Sequence, residues 1–206
     1  MNINNCYKIL FQGGKGDGKT NNCALLLNEL ILRGFIVEEF YVHTPNDSFK
    51  RLPFVKQLIP QYTGVIRQIW DTPLLADSTN FSRFQWDNNF LSPDFINSYT
   101  DFCAKLKYIK TGFHIIIFSC GDLQEQVDLL ENIVIRYPID SVIVAAIRKS
   151  PLQHKPTGKI LRLLNVSLKS SSSMYEIIDM NSPSRNTIPA FQEAYHKMKI
   201  KYSLLP

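Results

Sequence analysis

Only four cysteines occur in the 206 residues, Cys6, Cys23, Cys103 and Cys120, and no two form a C-x-x-C pair. That spacing excludes the usual zinc ribbons and argues against a disulfide framework. No apolar run approaches the length needed to cross a bilayer. The opening Met1-Asn2-Ile3-Asn4-Asn5 lacks the basic, then apolar, pattern of a secretory leader. A cytoplasmic protein is therefore the expectation. Two short motifs are missing as well. There is no N-K-x-D base-reading motif, which argues against a small GTPase. There is no Asp-Arg pair, which a nucleoside monophosphate kinase would be expected to carry after a central strand.

Glycine is also scarce, at nine residues, yet four of them fall within six positions. Gly13-Gly14-Lys15-Gly16-Asp17-Gly18-Lys19-Thr20 fills every fixed position of G-x-x-x-x-G-K-[ST]. Lys8 to Gln12 before it reads as a buried strand. Asn21 to Arg33 after it reads as a helix with apolar Ala24, Leu25, Leu27, Leu30 and Ile31. Glycines let a backbone wrap a polyphosphate with its N–H groups turned inward, and a helix N-terminus adds partial positive charge. Residues Gly13, Gly14, Lys15, Gly16, Asp17, Gly18, Lys19 and Thr20 are thus the candidate nucleotide site. Lys19 is expected to reach the β- and γ-phosphates, and Thr20 to ligate Mg²⁺. Lys15 is open to three roles: lying across the phosphates, reaching a partner subunit's nucleotide, or facing solvent.

The net charge of +5 is uneven. Residues 148–206 hold ten Lys or Arg against three Asp or Glu. Such a segment suits DNA or an anionic surface, or is simply a solvated face.

Along the chain, Phe35 to Val42 reads as a second strand, completing a βαβ unit with parallel strands. The loop His43 to Phe49 would then face the nucleotide. Val65 to Trp70 fits strand or helix, and Asp71-Thr72-Pro73 follows it. Phe81 to Trp86 is an aromatic run suited to a lid, a partner surface or ordinary packing. Pro93 to Lys110 has helical spacing at Phe95, Ile96, Tyr99, Phe102, Leu106 and Ile109, with Ser92 as cap. Phe113 to Ser119 and Ser141 to Ile147 are the clearest buried strands. A helix is expected over 123–136, another over 159–168, a strand over 175–179, and a basic tail helix over about 188–201. The sum is one α/β domain over 1–206, a P-loop NTPase with a mostly parallel sheet and helices on both faces.

A second carboxylate normally holds Mg²⁺ from the end of a neighbouring strand. The strand ending at Phe118-Ser119 offers Asp122 as the nearest acid, either a metal ligand or the N-cap of the next helix, with Ser119 as a hydroxyl alternative. Asp47 and Asp71 are further candidates.

The loop, as Phe11-Gln12-Gly13-Gly14-Lys15-Gly16-Asp17-Gly18-Lys19-Thr20, resembles the deviant Walker A loop of ParA/MinD-type ATPases. The nearest flavour is the short ParA-like proteins of plasmid stability and conjugation operons, where the loop commonly reads Q-G-K-G-G-V-G-K-[ST]. Here the first glycine and lysine are exchanged, so Lys15 sits one place late. Val42 to Asp47 is similar to that family's strand ending in D-x-D-P, and Phe113 to Asp122 to its strand ending in D-T or D-N, with altered carboxylates. Asp140 to Leu164 is similar to the stretch after the next strand. The resemblance implies ATP and Mg²⁺ as cofactors and weak ATPase activity, with Lys19, Lys15 and Asp122 as catalytic candidates and Thr20 and Asp122 at the metal. It also implies a nucleotide-dependent homodimer, and nonspecific DNA or a DNA-binding adaptor as partner, in DNA positioning, plasmid partition or conjugative transfer. A thymidylate-like nucleoside monophosphate kinase and a catalytically degenerate P-loop binding subunit are the alternatives.

Overall fold

In a computed structural model, the described residues are 6–43, 66–69, 81–86, 101–119, 127, 130–131, 141–149, 155–169, 172–183 and 188–203. They form a mixed α/β structure. The strands are β1 (Tyr7–Gly13), β2 (Phe35–His43), β3 (Ile66–Ile69), β4 (Phe81–Trp86), β5 (Phe102–Tyr108), β6 (His114–Phe118), β7 (Ser141–Arg148) and β8 (Tyr175–Asp179). The complete helices among the described residues are α1 (Lys19–Leu32), α2 (Lys155–Leu163) and α3 (Ala190–Lys201). Val127, Leu130 and Glu131 are helical too, inside the segment where the sequence predicts a helix.

One sheet carries all eight strands in the order β3-β4-β2-β5-β6-β7-β1-β8. Around β1 the pairing is parallel, with β7 on one side and β8 on the other, and β6 joins β7 in parallel. From β6 outward every pair is antiparallel: β5 with β6, β2 with β5, β4 with β2, β3 with β4. The expected mostly parallel sheet is therefore corrected to a mixed one.

Two sequence expectations account for that correction. The first is the helix over 93–110. Residues 102–108 form β5 instead, and residues 93–100 lie outside the described set. A spacing of four residues satisfies a helix and is also twice the strand period, so Phe102 and Leu106 fit both. The deciding pattern is finer. Phe102, Ala104, Leu106 and Tyr108 enter one core, whereas Lys105 and Lys107 are only partly covered. Strict alternation of that kind is a strand.

The second is the parallel βαβ unit. β2 does run in the same direction as β1, because two antiparallel steps, β6 to β5 and β5 to β2, cancel. The two strands are not neighbours, however; β5, β6 and β7 lie between them. α1 therefore crosses the sheet broadly rather than one strand over.

Helices cover both faces, as the strand pattern requires. Tyr7, Ile9 and Phe11 of β1 enter a core with Cys23, Ala24, Leu26, Leu27, Leu30 and Ile31 of α1 and Ala190, Ala194, Tyr195 and Met198 of α3. Leu10, one residue out of phase, enters the opposite core with Ile160 and Leu161 of α2 and with Val127 and Leu130. Within α1, Leu26 is buried and Leu25 only partly so, a shift of one position from the expected stripe.

α3 is part of this core rather than an appended tail. It packs on α1 through four buried side chains. Of its lysines, Lys197 pairs with Glu176 at 3.4 Å and Lys201 donates to the Ser173 carbonyl at 3.1 Å. Among the described residues, no helix is long and apolar enough to cross a membrane.

Candidate nucleotide site

Residues 13–20 run from the last residue of β1 to the first turn of α1. Gly16 and Gly18 have φ of +86° and +75°, a region closed to most L-residues. Gly18 ends the loop as the helix N-cap, and no side chain caps α1 there. The first N–H groups of an α-helix have no intrahelical acceptor, so this end is suited to an anion.

The loop is held from inside and from both flanks. The Asp17 carboxylate accepts the Gly14 N–H at 2.5 Å and the Asn181 side-chain amide at 2.8 Å. The Asn181 and Gly14 bonds, helped by the charges of Lys19 and Lys149, hold the Asp17 carboxyl below the ordinary carboxylate range. Asp17 also fills the space above Gly13, where an added Cβ would meet its Oδ2 at 2.9 Å and the Met180 Cβ at 3.1 Å. On one flank, β8 ends in Asp179, whose carboxylate accepts the Asn181 N–H at 2.9 Å and pairs with Lys149 at 3.3 Å. On the other, Arg148 of β7 lies directly opposite Gly13, and its N–H donates to the Thr157 hydroxyl at the start of α2.

Lys19 folds back over its own loop, donating to the carbonyl oxygens of Gly13, at 3.2 Å, and Gly14. Lys15 is exposed at the loop's crest. Asn22, one turn into α1, donates to the Gly18 carbonyl at 3.0 Å and accepts the Phe191 N–H at 3.1 Å. The start of α3 is thereby tied to the end of the glycine loop.

The Thr20 hydroxyl donates to Asp101 Oδ1 at 3.1 Å. Asp101 is not among the metal residues expected from the sequence, because 93–110 reads there as a helix. A strand reading finds it. β5 runs opposite to β6, so the residue just before its start stands at the edge of the sheet where β1, β6, β7 and β8 end. Ser119, the hydroxyl alternative, is committed elsewhere. It is buried, its Oγ accepts the Phe102 N–H at 2.8 Å, and it donates to the Phe102 carbonyl at 3.2 Å. Asp122, Asp47 and Asp71 lie outside the described residues, as does the loop following His43.

The structure thus brings together Gly13 to Thr20, Asp101, Asn181 and the end of β7. Comparison with protein-family models, curated proteins and solved structures returns no match.

Proposed function

We propose that the chain binds ATP with Mg²⁺ on residues 13–20 and hydrolyses it slowly. The observation that carries this reading is the glycine loop itself. It joins the end of a strand with parallel partners on both sides to the start of a 14-residue helix, with two left-handed glycines and a helix start that no side chain caps. Ligands of open α/β sheets bind beside the carboxyl ends of strands, and this loop stands at that edge.

Lys19 is the cation of the site. Two loop carbonyls accept from it and keep its ammonium beside the place a polyphosphate would take. A shift from carbonyl to phosphate oxygen trades neutral acceptors for anionic ones, adding charge–charge attraction to bonds that the ammonium already makes charge-assisted. Thr20 supplies a hydroxyl at the helix start, and its neighbour Asp101 is a carboxylate. An all-oxygen donor set of this kind fits a hard cation such as Mg²⁺. The cation, when bound, would neutralise phosphate charge. Lys19, the loop N–H groups and the α1 terminus would orient the triphosphate.

A second reading adds a nucleotide-dependent homodimer acting on DNA or through a DNA-binding adaptor, as the resemblance to ParA/MinD-type ATPases implies. What favours it is the exposure of Lys15 at the crest of the loop, from which a lysine can reach across to another copy. The basic charge of residues 148–206 suits a phosphate-rich partner.

Light scattering after size exclusion, apo and with ATP·Mg²⁺, tests the dimer. A mass that doubles with ATP in the wild type and not in Lys15→Ala supports the second reading; an unchanged monomer with ATP bound removes it. Turnover measured with and without DNA, and with nucleoside monophosphates as acceptors, separates a DNA-stimulated ATPase from a kinase and from a binding subunit without activity.

A further inference from the structure

The geometry points to Asp101, carried in by the antiparallel strand β5, as the carboxylate that completes the Mg²⁺ site, with Ser119 as the residue that positions it. This rests on the nucleotide reading above and deepens it.

The natural place for such a carboxylate is the end of β6, but the register puts that end too low. Phe118 pairs with Ala145, and Ala145 with Leu10, so β6 stops level with a residue three short of Gly13. β7 also intervenes between β6 and β1. β5 extends one residue beyond that level, to Phe102, and Asp101 directly precedes it. Cys103 pairs with Phe118, so Asp101, two residues beyond Cys103, reaches the level of Gln12 at the mouth of the loop.

The residue at the end of β6 has taken a different task. Ser119 holds the first residue of β5 by both of its backbone groups: its hydroxyl bonds the Phe102 N–H and carbonyl, and its own N–H donates to the same carbonyl at 3.0 Å. This clip, buried with only 4% of Ser119 exposed, fixes the backbone from which Asp101 projects.

The direction of the Thr20 bond matters. A hydroxyl has one hydrogen and two lone pairs. The hydrogen goes to Asp101, which leaves the lone pairs for a cation. Asp101 therefore orients the Thr20 oxygen and adds negative charge beside the metal, the function that carboxylates around a metal ligand commonly serve.

The test uses the full chain, with the fluorescent analogue mant-ATP titrated in EDTA and in Mg²⁺, and with Mn²⁺ titrated by electron paramagnetic resonance in the presence of ATP. Wild type binds mant-ATP more tightly with Mg²⁺ than in EDTA. Asp101→Asn keeps the EDTA affinity, loses the gain from Mg²⁺ and binds Mn²⁺ about 10–100-fold more weakly. Ser119→Ala moves the Mn²⁺ affinity the same way by less. Should Asp101→Asn fail to fold, Asp101→Glu and Ser119→Ala carry the test, with a reduced gain from Mg²⁺ expected in both. A full gain from Mg²⁺ retained in Asp101→Asn, or in both substitute variants where these are needed, overturns the assignment. So does loss of the gain in Asp122→Asn with Asp101→Asn unaffected. Absence of mant-ATP binding by the wild type in either condition overturns the nucleotide reading itself, and this assignment with it.

Discussion

Replacing Gly13 by alanine separates crowding from backbone strain within one loop. A Cβ at Gly13 would stand 2.9 Å from Asp17 Oδ2, 3.0 Å from Asp17 Cβ and 3.1 Å from Met180 Cβ. Contacts that short require the Asp17 side chain to move away, giving up the Gly14 N–H, and Met180, just after β8, to give way. Overpacking of this kind costs about 1–3 kcal/mol. Gly16 is the contrast. An added Cβ there meets nothing within 4 Å, but φ is +86°, so alanine carries only the left-handed penalty, about 1–2 kcal/mol. The two costs differ in how they can be relieved. Asp17→Gly removes two of the three atoms that crowd the new methyl group of Gly13→Ala, and should recover a measurable part of its cost in a double-mutant cycle. It should recover nothing with Gly16→Ala. Urea unfolding of the single and double variants against wild type gives both couplings. A coupling of Asp17→Gly to Gly16→Ala as large as that to Gly13→Ala would refute the packing described for this loop.

Other consequences are as direct. Met198→Ala in α3 should cost about 2–5 kcal/mol, read by urea denaturation, because Met198 is fully buried; a loss under about 1 kcal/mol would mean that α3 is not part of the core. Truncation after Ser182 should leave a chain without cooperative unfolding. A charge test of DNA binding therefore belongs to substitutions such as Lys199→Glu, whose salt-dependent DNA affinity should fall if this face binds the phosphate backbone. Acidification should destabilise the protein in two steps. Burial first, then the charge of Lys105, lowers the His114 pKa. The unfolded imidazole thus takes up its proton near its ordinary pKa of about 6.5 while the folded one resists, and stability falls as pH drops through that value. Burial acts to raise the Glu38 pKa, but the hydrogen bond and charge of Lys105, with His114 and Lys107, outweigh it and lower the pKa. Its contribution is present above the ordinary Glu value and is lost on further acidification through the folded pKa. Melting temperatures of wild type and His114→Asn from pH 7.5 to about 3 check this: the variant should lose the upper step and keep the lower, diminished because His114 no longer stands beside Glu38.

The residues that surround a loop differ in how much the sequence alone reveals of them. The glycine loop, β1 and α1 are legible because their signals are local, a fixed glycine spacing between an apolar run and a helical stripe. β6, β7 and β8 are legible as strands because they are short apolar runs. The sheet order is not, since parallel direction and adjacency are separate facts. A βαβ pattern fixes the first for β1 and β2, and the placement of β5, β6 and β7 between them settles the second. Asp101 is the cost of one misread period. Phe102 and Leu106 fit a helix as well as a strand, and only the lysines between and after them, at 105 and 107, break the tie. Asn181 and Asn22 carry no chemical signature in sequence. Asn181 lies 164 residues from the Asp17 it holds and Asn22 169 from the Phe191 it caps, and those distances close only when β8 and α3 are in place.

The most direct test of the central claim is calorimetric titration of ATP·Mg²⁺ into the wild-type chain and into Lys19→Ala. The account predicts saturable one-to-one binding by the wild type and its loss in the variant, with the melting temperature of the free protein little changed, because the hydrogen bonds of Lys19 to Gly13 and Gly14 stay within its own loop. Wild-type affinity retained in Lys19→Ala, or no binding by the folded wild type, would contradict it.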